Sequence, residues 1–139
     1  MTAPTPDQNA GTPRLFTLEE ANALVPRIAP IMAELRDLKE RLDATRAALD
    51  QFTPAMRANG YGMEALAHER EIAELVSRLS AGVHEISALG IEIKDLNHGI
   101  VDFPSVRGGR VVYLCWRLGE DRIAYWHDLD AGFTGRQPL

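Results

Sequence analysis

At Gly90 the spacing of apolar residues changes from helical to extended, and few architectures accommodate that change. Before it, a heptad runs through the first half of the chain. Its a positions are Ala21, Ile28, Leu35, Leu42 and Leu49, and its d positions are Leu24, Ile31, Leu38, Thr45 and Phe52. All but Thr45 are apolar, which is the seam of a helix packed on another helix in coiled-coil fashion. Thr17 to Glu20 has the form of a capping box, so helix one is expected over 17–52, with Phe16 stapling onto Ala21. Pro26 and Pro30 each remove an intrahelical hydrogen bond, so a kink or a break is expected there. Both fall on the outer face of the seam, at f and c.

Pro54, Asn59-Gly60 and Gly62 mark a turn, and a second helix is expected over 63–89. Its seam is Ala65, His68, Ile72, Leu75, Leu79, Gly82, Ile86 and Leu89, with Gly90 as the C-terminal cap. Two helices of similar length joined by a short loop pack antiparallel, here over roughly 40 Å at about 1.5 Å per residue. After Gly90, Ile91 to Lys94 alternates like a strand and Asn97-His98-Gly99 reads as a turn. Ile100 to Phe103 is a second strand, Arg107 to Arg110 a hairpin turn, and Arg110 to Leu118 the most strand-like run of the chain. Arg122 to His127 follows as another strand. The tail from Asp128 has no period, and Phe133 is expected to pin it to the body. The expected fold is therefore α+β: a long antiparallel helical hairpin over 17–90, then a small antiparallel β-meander and tail over 91–139. Residues 14–139 are expected to form one domain, and residues 1–13, rich in proline and threonine, a disordered tail.

Composition removes several functions. The net charge is −5, and acidic and basic residues alternate along the helices as on a solvated face, which disfavours nucleic-acid binding. One cysteine permits no intramolecular disulfide. The N-terminus lacks the basic and apolar stretches of a signal peptide, and no apolar run is long enough to span a bilayer. A cytoplasmic location without a membrane partner is the expectation. The seam of Ala21 to Phe52, flanked by Val25, Met32, Val76 and Val83, is wider than one helix covers. A homodimer through the helices is therefore expected.

Chemistry concentrates in the last third. A three-residue turn at Gly119-Glu120-Asp121 pairs Leu118 with Arg122 and puts Cys115 and His127 on one sheet face. A two- or four-residue turn separates them. Thiolate and imidazole suit zinc or another late transition metal, with Asp128, Asp130, Asp102 or His98 completing the site. A Cys–His catalytic pair oriented by Asp102 or Asp128 is the enzymatic version. Trp116 and Trp126 would wall such a site from water. The plainer alternative is a buried thiol and a structural histidine. His68 could join Glu34, Glu69 or Glu71 in a bundle site, although the Glu-x-x-His spacing is missing. Arg107 and Arg110 could meet phosphate, or simply cap an exposed hairpin tip.

The runs KDLNHGIVDFP, YLCWRLGE and YWHDLDAGFTGRQPL, with LFTLEEANALVPRI near the start, resemble a bacterial family known as domain of unknown function 2203. The resemblance extends over about residues 14–139. It implies signature positions at Lys94, Asp95, Asp102, Phe103, Cys115, Trp116, Glu120, Trp126, His127, Gly132 and Arg136, and it implies no activity. The charged members either line a ligand pocket or brace the irregular tail. The leading expectation is a homo-oligomeric binding or interaction module without a cofactor. The competing one is a small metalloprotein or enzyme with a Cys/His/Asp site on the β-region, with Cys115, His127 and Asp128 as the first metal-ligand set.

Overall fold

The structure, a computed structural model, describes residues 14–139; the expectation for residues 1–13 lies outside the described residues. Helix α1 spans Leu18–Asp50 and helix α2 spans Gly62–Ala88. Between them lie a helical turn at Pro54–Met56 and a wide turn at Arg57–Tyr61, in which Gly60 takes φ 106°. Five strands follow: β1 (Glu92–Asp95), β2 (Ile100–Arg107), β3 (Arg110–Arg117), β4 (Tyr125–His127) and β5 (Gln137–Pro138). They form one antiparallel sheet in chain order. The α+β hairpin-and-meander architecture is as expected from the change of period at Gly90. No helix among the described residues is long and apolar enough to cross a membrane.

Thr17 caps α1 through the capping box. Its hydroxyl accepts from the Glu20 N–H at 3.1 Å, and Glu20 Oε1 accepts from the Thr17 N–H at 2.9 Å. The helix runs unbroken through Pro26 and Pro30. Each proline frees the carbonyl four residues earlier, but both sit on the exposed face, so water can satisfy what the ring removes. Phe16 is buried, and its ring meets Phe103 edge-on with centroids 5.3 Å apart.

The buried stripe of α1 changes course along its length. Ala21, Val25, Ile28 and Met32 are buried in the first half, and Leu35, Leu38, Leu42 and Thr45 in the second. Leu24 and Ile31, expected in the seam, are only partly covered. The second half keeps the a/d pattern of a helix facing one helix. The first half turns toward a core that also contains Val101, Phe103, Val112, Leu114, Trp116 and Trp126 of the sheet. Val25 and Met32 are thus covered within one chain, which removes them from the apolar surface that self-association was expected to hide. Gly82 brings the helices together: a Cβ there would stand 2.4 Å from Leu35 Cδ2.

Gly108 and Gly109, with φ 59° and 79°, close the β2–β3 hairpin in the left-handed conformation a two-residue turn requires. The N-terminal segment clamps the sheet to the hairpin. Phe16 N–H donates to Pro104 O at 2.7 Å, and Ser105 Oγ donates to Phe16 O at 2.6 Å. The Ile123 N–H donates to Asn22 Oδ1 at 2.8 Å, tying α1 to the loop that leads into β4. Strand β5 was not expected. It pairs with β4 through Tyr125↔Pro138 and Trp126↔Gln137 and anchors the end of the tail.

Candidate functional site

Strand register decides what the sheet presents on each side. Asp102 pairs with Cys115 across β2 and β3, Tyr113 pairs with His127 across β3 and β4, and Cys115 pairs with Tyr125. Because successive side chains alternate, Asp102, Tyr113, Cys115, Tyr125 and His127 share one face. Val101, Phe103, Leu114, Trp116 and Trp126 share the other, which joins the helical core. The first face is covered by the segment after β4. There Arg136 lies over Tyr125, 3.9 Å from its ring centroid, and over Phe133 at 4.5 Å. Glu120 locks Arg136 in place through two hydrogen bonds of 2.7 and 3.2 Å. Glu120 also accepts from the Arg117 N–H.

Under this cover lies a buried polar cluster. The Asp102 carboxylate places both oxygens 3.0 Å from His127 Nε2. His127 Nδ1 lies 2.7 Å from the Asp128 carbonyl oxygen. A carbonyl can only accept, so Nδ1 carries a hydrogen. Nε2 then faces two carboxylate oxygens, and that contact is attractive only with a proton between them. The pair therefore holds one shared proton. Exposure is 1% at Asp102, 2% at His127 and 0% at Cys115. One ligating atom from each of the three lies within 4.8 Å of the others. Among the described residues, every buried side-chain nitrogen and oxygen has a partner.

Burial dominates the electrostatics. It pushes the Asp102 carboxyl above its usual range, against the pull of His127, Cys115 and Lys94. Burial, reinforced by the Asp102 charge, pushes the Cys115 thiol up to about 12, with Arg136 beside it acting in the opposite direction. Cys115 is accordingly a neutral thiol at neutral pH, and a nucleophilic role lacks its thiolate. Burial and the neighbouring Glu92 also raise the Tyr113 phenol. Burial pulls on Lys94 in the opposite direction, but its hydrogen bond and ion pair with Glu92 outweigh that pull and leave it raised.

A cleft of about 430 Å³ opens beside the cluster, with Asp102 and His127 in its wall together with Lys94, Tyr113, Asp130 and Phe133. Glu92 Oε1 braces the rim, accepting from Lys94 Nζ at 2.9 Å and from Tyr113 Oη at 3.0 Å. The Tyr113 ring meets the imidazole of His127 at a tilt of 56°, with 5.5 Å between centroids.

The expected candidates thus separate. Asp102, Cys115 and His127 come together, and Lys94 and Asp95 stand at the cleft. Asp95 is engaged by His98, through the backbone N–H at 3.1 Å and Nδ1 at 2.8 Å, and this holds its carboxyl below the usual range. Glu120 and Arg136 brace the tail. Trp116 and Trp126 do not wall the cluster, since both point to the opposite face. Trp116 Nε1 donates to Glu120 O at 3.0 Å, and the Trp126 ring meets Arg107 at 5.0 Å and Arg110 at 5.7 Å. Asp128 is displaced from the metal-ligand set. Its carboxylate pairs with Arg110 at 2.9 Å and only its backbone carbonyl reaches His127, so the acid of the cluster is Asp102. His68 bonds the Glu64 carbonyl one turn back, while Glu34, Glu69 and Glu71 pair with Arg78, Arg57 and Arg41. Tyr113, Glu92 and Phe133 carry the cleft without having been read as site residues. Tyr113 could have been found two residues before Cys115, on the same side of the strand.

A helical hairpin with a five-strand meander and a covered Asp–His–Cys cluster defines the class of molecule. A family model described as uncharacterized conserved protein (DUF2203) matches residues 14–139, and the chain belongs to that family. No curated protein and no solved structure matches it.

Proposed function

We propose that the protein is a binding module, and that it takes a small polar ligand in the cleft between the sheet and the segment after β4. The observation that carries this reading is the Asp102–His127 pair in the cleft wall. A buried ionisable pair is weak evidence for stability, because two apolar residues in its place stabilise as well or better. A cleft in which a few polar groups converge among apolar walls is the usual form of a binding site. Here Tyr113 and Lys94 supply donors, the carboxylates supply acceptors, and Ile100, Leu129 and Phe133 supply the apolar walls. The Glu120–Arg136 latch holds the covering segment over the site. The neutral Cys115 thiol favours binding over covalent catalysis.

Association between copies belongs to the same proposal. Met63, Tyr61 and Val76 stay exposed on the hairpin and would form the contact. Sedimentation at micromolar concentration checks it, and a monomer throughout removes this part. For the ligand site, amide NMR shifts are followed during addition of a panel of small carboxylates and small amines, with EDTA present. Shifts centred on Tyr113, His127 and Gly132, lost in Tyr113→Phe, are expected. Shifts elsewhere, or none with any probe, overturn the reading.

A further inference from the structure

We infer that Asp102, Cys115 and His127 form a zinc site whose fourth position opens into the cleft. This rests on the reading of the cleft as the binding site and names what sits at its floor. The three side chains supply oxygen, sulfur and nitrogen, a donor set that suits zinc. They arrive from three adjacent strands with their ligating atoms within 4.8 Å of one another. Around a tetrahedral zinc, such atoms stand about 3.3–3.6 Å apart. The 3.0 Å contact between Asp102 and His127 must therefore open by a few tenths of an ångström, and the widest pair must close by about 1 Å.

The orientation of the imidazole is a second, independent observation. A ligating histidine ordinarily donates its other ring N–H to a carbonyl or carboxylate, which fixes its tautomer and aim. His127 does so through Nδ1 to the Asp128 carbonyl, leaving Nε2 directed at Asp102. Three protein ligands with one open position is the arrangement of zinc sites that take an exogenous ligand. The cleft provides the space, with Tyr113 and Lys94 placed to contact whatever occupies the fourth position.

Charge and protons balance. Zinc(II) meets one carboxylate, one thiolate and one neutral imidazole, so the filled site is neutral. To reach it, the Asp102–His127 pair gives up its shared proton and Cys115 gives up its thiol proton, while the Nδ1 hydrogen stays. Two protons pass to solvent for each zinc bound.

The test uses the full chain, stripped with EDTA and dialysed. Zinc binding is measured by calorimetry in buffers of different ionisation enthalpy, and cobalt(II) binding by absorption. The expected result is one zinc per chain, two protons released, and a cobalt spectrum with tetrahedral visible bands and a thiolate charge-transfer band. Cys115→Ser removes that band and lowers zinc affinity by more than about 100-fold, the upper range seen for loss of even a supporting contact. His127→Gln lowers it similarly. Circular dichroism and urea midpoints in EDTA confirm that the variants fold. If either variant does not fold, the cobalt band and the proton count of the unaltered protein decide alone. The inference is overturned by absence of binding, by a cobalt spectrum without the thiolate band, or by zinc retained at full affinity in both variants. If metal fails while carboxylate or amine probes still shift Tyr113 in EDTA, only the zinc site falls. If both fail, the cleft reading falls too.

Discussion

Removing one partner of the Asp102–His127 pair should cost far more than removing both. In Asp102→Val the imidazole keeps a hydrogen on Nδ1 for the Asp128 carbonyl, but Nε2, in a residue 2% exposed, loses the carboxylate that partners it. In His127→Leu the Asp102 carboxyl stays 1% exposed without its principal hydrogen-bond partner. Breaking a buried pair from one side typically costs about 3–5 kcal/mol, a large part of the about 5–15 kcal/mol that stabilises a domain. The double variant Asp102→Val/His127→Leu leaves neither group stranded, and apolar replacement of a buried pair is often neutral or better. It should cost no more than either single variant, giving a coupling of several kcal/mol.

The assay is urea unfolding at pH 7 with EDTA present, since a bound metal would add its own stabilisation. With a slope of about 2 kcal/mol per molar urea, each single variant should lower the midpoint by roughly 2 M, and the double variant by less. The slopes should stay constant, so that midpoint changes report stability alone. Single variants that each cost under about 1 kcal/mol, or a double variant that costs their sum, would refute the claim of a coupled, desolvated pair.

Stability should also respond to pH through Asp102. Its carboxyl is raised in the folded state, so between its ordinary and its raised value the folded chain holds a proton that the unfolded chain has released. The contribution of this group to stability therefore falls as pH rises through that window. The stability difference between the unaltered protein and Asp102→Asn should decline over it, and a flat difference would contradict the assignment. Arg136→Leu removes a bidentate, largely sheltered pair with Glu120 and should cost about 1.5–3 kcal/mol. Hydrogen exchange in residues 128–138 should rise in that variant while α1 and α2 stay protected, and unchanged exchange would mean that the latch does not hold the cover. Asn22→Leu strands the Ile123 N–H beneath α1 and should cost about 1–3 kcal/mol by thermal or urea unfolding, whereas no change would show that water replaces the amide.

The fold was legible wherever a local signal agreed with the global arrangement. The Thr17 capping box, the change of period at Gly90 and the glycine pair at Gly108-Gly109 each specify backbone geometry through one or two residues, and all three appear where they were read. What was missed depends on neighbours distant in sequence. Whether Pro26 and Pro30 break α1 depends on which side of the helix meets solvent. Whether Val25 and Met32 lie in a dimer contact or under the sheet depends on where the meander docks. Strand β5 has two residues, one of them proline, and exists because β4 offers an open edge.

The geometry of the candidate site was legible through parity, and adjacency in the chain misled twice where it was used instead, for the tryptophans and for Asp128. Pairing Leu118 with Arg122 extends to pairing Cys115 with Tyr125, which is the register observed, so the thiol and the imidazole share a face. Asp102 joins them because Gly108-Gly109 sets a register in which it opposes Cys115. The same alternation excludes both tryptophans from that face. Trp116 follows Cys115 by one residue and Trp126 precedes His127 by one, so each must point to the helices while its neighbour points away. Their aromatic bulk serves the core, and the aromatic walls of the cluster come instead from Tyr113, Tyr125 and Phe133. Acidic residues were the hardest to rank, because sequence distance favours Asp128 over Asp102. Strand pairing reverses that order: Asp128 is held by Arg110, whereas Asp102, twenty-five residues from His127, meets its imidazole directly. Adjacency in the chain thus separates side chains on this sheet, and adjacency in register assembles them.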